Sequence, residues 1–172
     1  MSINAIGTLS PFGAPVLRSN ILANSITVTE SDSMKVASGF VTLGTTGVLV
    51  FGHVASIVTN KGVGLNTTGA AGAAMGSFVG AYLTASDNQT VGMVRATCDV
   101  SKETLYSAEE DAAIGTTTGS NLLGYTQDLA DEDTLDESTA VTTTGQYMGW
   151  GVDPNNSAKA VVNIFESMVF GV

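Results

Sequence analysis

The stretch DLADEDTLDE places six carboxylates in ten positions: Asp128, Asp131, Glu132, Asp133, Asp136 and Glu137. Carboxylates this dense can hold a hard cation, exchange protons in acid–base catalysis, or face water as a solvated loop. From Glu103 to Ala158 the chain carries eleven acidic residues and no Lys or Arg. A helix-loop-helix calcium site needs oxygen ligands at alternate positions, Gly at the sixth and a bidentate Glu at the twelfth. Asp131 and Asp133 fit the first two slots, but Leu135 takes the third, Asp136 stands where Gly belongs and the closing Glu is missing. The run is therefore expected to be an exposed acidic loop, turned to solvent or to a basic patch on a partner. No carboxylate pair reads as lying in an apolar setting that would raise a pKa for acid catalysis.

His53, in FGHVAS, is the only histidine and so the only ready base near neutral pH. Ser56 is near it in sequence, but no G-x-S-x-G elbow surrounds any serine. A structural histidine at a strand or subunit contact is expected. Cys98, the only cysteine, reads as a small buried strand residue; a single cysteine allows no intrachain disulfide and no zinc spacing. The glycine-rich GVGLNTTGAAGAAMG lacks G-K-[ST] and reads as turns and close packing, not as a phosphate loop. The N-x-[ST] patterns at Asn66, Asn88 and Asn155 are chance matches in a Thr-rich chain that has no signal-peptide pattern. Trp150 alone makes no stacking platform for bases and is expected to anchor a core or an interface. Catalytic, cofactor and metal sites are all expected to be absent.

The elements that would carry these residues are strands. Among 172 residues, 44% are hydrophobic and only 13% charged, with Gly, Thr, Ser, Val and Ala dominant, a mixture suited to strands and turns. The net charge of −10 disfavours phosphate backbones and anionic membrane surfaces as partners. No apolar run is long enough to span a bilayer, and synthesis in a cytoplasm without export is expected. Residues 1–25 hold Pro11 and Pro15 and read as an extended N-terminal arm lying against its own body or a neighbour. Residues 26–100 read as a β-rich barrel-like domain, with turns at Asn60-Lys61-Gly62 and Asp87-Asn88. Residues 101–172 read as a second β-rich section, with a capping-box pattern over Ser107–Glu110 that suggests a short helix ending near Gly115. Asp153-Pro154-Asn155-Asn156 is a strong turn. No fixed-period repeat is visible. The expected class is all-β, a barrel or sandwich of short strands and hairpins with at most one or two short helices.

The order of these pieces, SMKVASGFVTLGTTGVLVFGHVASIVTNKGVGL, SDNQTVGMVRATCDVSKETLYSA, TTTGSNLLGYTQDLADEDTLDES and WGVDPNNSAKAVVNIFESMVFG, resembles the head decoration (cement) proteins of tailed bacteriophages. The resemblance covers roughly residues 26 to 172 and rests on strand and turn patterns. It implies a β-rich homotrimer without cofactors that binds the major capsid protein on the outside of the expanded shell and reinforces it against DNA pressure. On that reading Ile3, Ile6, Leu9, Phe12, Val16 and Arg18 of the arm are the capsid contacts. Trp150, Phe165 and Phe170 are the subunit contacts, with ordinary core packing as the alternative for each. Two other functions remain open at this point: a phage tail, fibre or receptor-binding β-module, and a small hydrolase using buried carboxylates.

Overall fold

The computed structural model describes residues 3–9, 13–23, 26–59, 78–79, 94–115, 122–142 and 144–165. These form strands and no helix: β1 (Ile3–Thr8), β2 (Leu17–Ile21), β3 (Thr27–Val28), β4 (Ser33–Ala37), β5 (Phe40–Leu43), β6 (Gly52–Thr59) and β7 (Phe78–Val79), then β8 (Val94–Asp99), β9 (Thr104–Glu110), β10 (Thr126–Leu129), β11 (Thr134–Val141), β12 (Tyr147–Asp153) and β13 (Asn156–Ile164). The all-β expectation holds. The helix expected after Ser107 does not form. Tyr106 and Ala108 alternate into a core, and β1 and β13 hydrogen-bond to either side of β9, so sheet pairing outweighs the local capping pattern.

Two closed barrels follow from the pairing. In the first, β2-β8-β6-β4-β5 form an antiparallel series, and the parallel bridge Leu22↔Val41 joins β5 back to β2. In the second, β9-β13-β12-β10-β11 run in an antiparallel series, and a parallel pairing of Thr134 and Leu135 with Glu109 and Glu110 joins β11 back to β9. Closure leaves few unpaired edges, which protects short strands from pairing with other chains.

The two barrels repeat one topology strand for strand, and most of the register with it. His53↔Asp99 and Val54↔Cys98 in the first correspond to Met148↔Asn163 and Gly149↔Val162 in the second. Ser33↔His53 corresponds to Thr126↔Met148, and Val36↔Val41 to Leu129↔Leu135. Both barrels carry a bulge at the same place, which makes Ala55 and Trp150 the inserted residues. Both lead into their second strand through the same turn. Ser31 N–H donates to Val54 O at 2.8 Å and Gly124 N–H to Gly149 O at 3.1 Å. The turn residue has positive φ in both, 80° at Ser31 and 81° at Gly124. The closing bonds also match, from Ala23 N–H to Val41 O (2.8 Å) and from Asp111 N–H to Leu135 O (2.9 Å). The barrels differ most in one connection: residues 60–93 lie between β6 and β8, whereas Pro154 and Asn155 alone separate β12 from β13.

No repeat is visible in the sequence because little but backbone is repeated. Leu17/Leu105, Ser19/Ser107 and Ala96/Ala160 coincide, while His53/Met148 and Met34/Gln127 do not. Each barrel encloses its own core. The first holds Leu22, Met34, Val41, Ile57, Ala96 and Cys98; the second holds Tyr106, Leu129, Leu135, Tyr147, Val162 and Ile164. Each fully buried Leu or Ile contributes about 1.5–3 kcal/mol, so two full interiors suit a chain with little charge pairing. The expected arm is divided between the barrels. β2 is a stave of the first, and β1 adds to β9 outside the second.

Candidate functional site: a locked polar seam and an open apolar edge

Ser33, His53 and Asp99 are cross-strand neighbours on β4, β6 and β8, facing the second barrel. Those three residue types can form a nucleophilic triad, but the one link inside it, Ser33 Oγ to His53 Nδ1, is a long 3.5 Å, and the shorter hydrogen bonds run elsewhere. His53 Nδ1 lies 3.0 Å from Ser31 O, and a carbonyl can only accept, so Nδ1 carries the proton. Nε2 is then an acceptor and takes the Tyr147 hydroxyl at 3.0 Å. Ser33 Oγ donates in turn to Tyr147 Oη at 2.8 Å. Asp99 turns away from the imidazole. It accepts from Val16 N (3.1 Å), Ser101 N (3.0 Å), Thr104 Oγ1 (2.7 Å) and Tyr106 Oη (3.2 Å). Serine, histidine and tyrosine thus form one directed chain that joins the barrels, and the Tyr106 ring packs on His53 at 4.1 Å between centroids.

Electrostatics reinforce the lock. Burial pushes the His53 pKa down to about 4, against the Ser31 carbonyl and the Asp99 charge, which favour the protonated ring. Burial raises the Tyr147 hydroxyl, and burial followed by the Asp99 charge raises that of Tyr106. Cys98 lies in the first core, its thiol pushed up to about 12 by burial and then by Asp99. The buried-strand reading of Cys98 and the structural reading of His53 both agree with this placement. Among the described residues, no group of three or more His, Cys, Asp or Glu is arranged to hold a metal ion, and no helix is long and apolar enough to cross a membrane.

The carboxylates depart from expectation in two ways. Two do lie in settings that raise their pKa. Burial brings Asp32 up to about 7, opposed by the Thr29 N–H (2.7 Å) and aided by Glu132, Asp133 and Asp131. Burial likewise brings Glu110 to about 7, opposed by Gln127 and aided by Glu137, Asp111 and Asp136. Second, DLADEDTLDE is a hairpin and not an exposed loop. Asp128 lies on β10, Ala130 N–H closes the turn on Thr134 O at 2.9 Å, and Asp136 and Glu137 lie on β11. Only Asp131 of the six is exposed; Asp128, Glu132, Asp133 and Asp136 are half-buried, and Glu137 is 1% exposed. Their oxygens serve local backbone. Asp131 accepts from Asp133 N (3.1 Å), Asp136 from Ser138 N (2.9 Å) and Asp128 from Gln146 N (3.1 Å). The hairpin docks on the first barrel, where Ser33 N–H donates to Glu132 O at 2.6 Å. Strand parity was the available signal: Tyr106, Ala108 and Glu110 share one face, as do Leu135 and Glu137.

The arm residues are dispersed. Ile3 is fully buried in the second core and so is not free to touch a partner, while Val16 packs partly buried against the first. Ile6 is 50% exposed because the β1–β9 register shifts between Ala5 and Gly7, leaving Ile6 as the bulged residue. Leu9 and Arg18 are exposed, and so is Leu17, which was not anticipated. Phe12 and Phe170 lie outside the described residues, as do the expected turns at Asn60-Lys61-Gly62 and Asp87-Asn88. Phe165 is half-buried, its N–H donating to Gln146 O at 2.8 Å. Trp150 stands 42% exposed on the β12 bulge, with Nε1 donating to Asn163 Oδ1 at 2.7 Å. β1 and β2 flank a cleft of about 440 Å³ lined by Ala5, Pro15, Leu17, Glu30, Val54 and Ala55. No protein-family model, curated protein or solved structure matches the chain.

Proposed function

We propose that this chain is a capsid decoration protein of a tailed bacteriophage, binding the major capsid protein on the outer surface of the expanded shell as a homotrimer. The observation that carries the reading is the exposed apolar edge: Ile6 on β1, Leu9 just past its end and Leu17 on β2, which lines the cleft, all stand out on a chain of net charge −10. A soluble chain that keeps large aliphatic side chains on strand edges offers a surface for a partner to cover. The reactive side chains of the seam are committed to joining the barrels, which suits a mechanical part better than a catalyst. Contacts of modest strength suffice when many copies bind one shell, and the acidic balance keeps decorated particles apart. Trp150, beside the second barrel's bulge, is the subunit contact in this reading.

The test is co-sedimentation with expanded capsids stripped of decoration, with intact host cells as the second target. Deleting the first nine residues would also remove Ile3 from the second core, so substitution is the cleaner perturbation. The reading expects saturable capsid binding by the wild type and its loss in Ile6→Asp/Leu9→Asp/Leu17→Asp, with an unchanged circular dichroism spectrum. Binding to cells alone would make the chain a receptor-binding module. Binding to neither target would overturn both functions.

A further inference from the structure

The repeated topology lets one barrel serve as a control for the other at the place where each closes. In the first, Leu22 forms the parallel bridge, and Leu22 and Met34 are both fully buried in its core. The matched register puts Glu110 at the position of Leu22 and Gln127 at that of Met34. An apolar pair has been exchanged for a carboxyl and an amide at a closing ladder only two residue pairs long.

The polar pair is half-made. Gln127 Nε2 donates to Glu110 Oε2 at 2.8 Å. Glu110 Oε1 and Gln127 Oε1, both buried acceptors, have no hydrogen-bond partner. Those two oxygens are the ones that a single proton would join, because a carboxylic acid and a carboxamide form a cyclic pair through N–H···O and O–H···O bonds. The groups around them favour that proton. Asp111 follows directly after β9, Asp136 and Glu137 come from β11, and Lys159 on β13 is engaged by Glu109, the neighbour of Glu110, at 3.3 Å.

We propose that Glu110 is a proton-operated clasp for the second barrel: a proton on Oε1 completes the Glu110–Gln127 pair, which ties the end of β9 to β10 and so steadies the short β9–β11 ladder that Glu110 itself closes, and its loss loosens that ladder. The folded-state pKa of about 7 puts the transition near neutral pH. Because that value is raised above 4.5, the clasp contributes fully below the unfolded pKa and is lost as pH rises through the folded one. Nothing in this rests on the capsid reading.

Amide exchange by NMR tests it inside one molecule, with protection factors corrected for the intrinsic rate. The Asp111 amide reports the second closure and the Ala23 amide the first. Between about pH 5.5 and about pH 8.5, Asp111 protection is expected to fall about tenfold or more while Ala23 changes by less than about twofold. Glu110→Gln, which cannot ionise, should abolish the fall, and Glu110→Leu/Gln127→Met should make the second closure as indifferent to pH as the first. Equal protection of Asp111 at both pH values would overturn the proposal. So would a parallel fall of both amides, or a fall that survives in Glu110→Gln. The wild-type comparison and the conservative Gln variant decide the matter even if the double variant does not fold.

Discussion

Removing Asp99 should weaken the union of the two barrels more than any other single polar substitution in the seam. Its carboxylate is 6% exposed and takes four donors from four residues. Val16 enters β2, Ser101 belongs to the link between barrels, and Thr104 and Tyr106 belong to β9. Asp99→Ala leaves all four without their acceptor. A buried donor stripped of its partner costs about 1–3 kcal/mol, more where the partner is charged. A simple sum would overstate the loss, because the donors share one acceptor and Asp99 borders the cleft, where water can replace part of it. The expected cost is about 3–5 kcal/mol, a large fraction of the 5–15 kcal/mol typical of a domain. Asp99→Asn keeps an acceptor oxygen but turns an N–H₂ toward donors, and should cost about 2 kcal/mol. Urea unfolding at neutral pH, followed by circular dichroism and by Trp150 fluorescence, measures both. The Trp150 transition in the second barrel should shift with the bulk signal, since the tie runs between barrels. A cost under about 1 kcal/mol for Asp99→Ala would refute the reasoning, because it would mean that the donors find equivalent partners without the carboxylate.

Two further perturbations follow from the same seam. Asp32, raised from 3.8 to about 7, contributes stability that is complete below its unfolded pKa and lost as pH rises through the folded value. Asp32→Asn should therefore be more stable than wild type at about pH 8 by about 2–4 kcal/mol, and should lose that advantage near about pH 4; urea midpoints across the range check the sign. Tyr147→Phe removes the hydroxyl that both accepts from Ser33 and donates to His53, and should cost about 1–3 kcal/mol by calorimetry, with the fold retained.

What the sequence made legible was whatever depends on local chemistry. Asp153-Pro154-Asn155-Asn156 turns β12 into β13 because proline presets φ and Asp153 Oδ1 accepts from Asn155 N at 2.8 Å. Cys98 is buried because the strand around it is apolar on that face. Long-range facts overrode local signals elsewhere. The capping-box pattern at Ser107 lost to two flanking strands, and the pairing of β1 with β9 turned Ile3 inward, which leaves Ile6, three residues on, facing outward. The six carboxylates of 128–137 look alike as a list. Asp131 is exposed because it lies in the turn, while Glu137 is buried because it shares the inward face of β11 with Leu135, and both facts depend on where the hairpin turns.

The matched barrels also separate requirements of the backbone from properties of the surface. Where the two agree, the agreement is conformational: positive φ at Ser31 and Gly124, the bulge before Ser56 and before Gly151, and the closing bonds of Ala23 and Asp111. What both barrels keep at such places is the path of the backbone, which at the two positive-φ positions itself limits the choice of residue. Where they disagree in kind, packing cannot be the reason, since the same position is filled by an ordinary small or apolar residue in the other barrel. Ala55 and Trp150 occupy one bulge, Leu22 and Glu110 one closure, Met34 and Gln127 one interior strand position. All three exchanges put the costlier side chain in the second barrel: an exposed indole, a buried carboxyl and a buried amide with an unpartnered oxygen. A fold that closes with leucine and methionine in its first copy has no structural need of glutamate and glutamine in its second. Contact and response should therefore be sought in the second barrel, at Trp150 and at Glu110, and in the edge formed by β1 and β2 beside it.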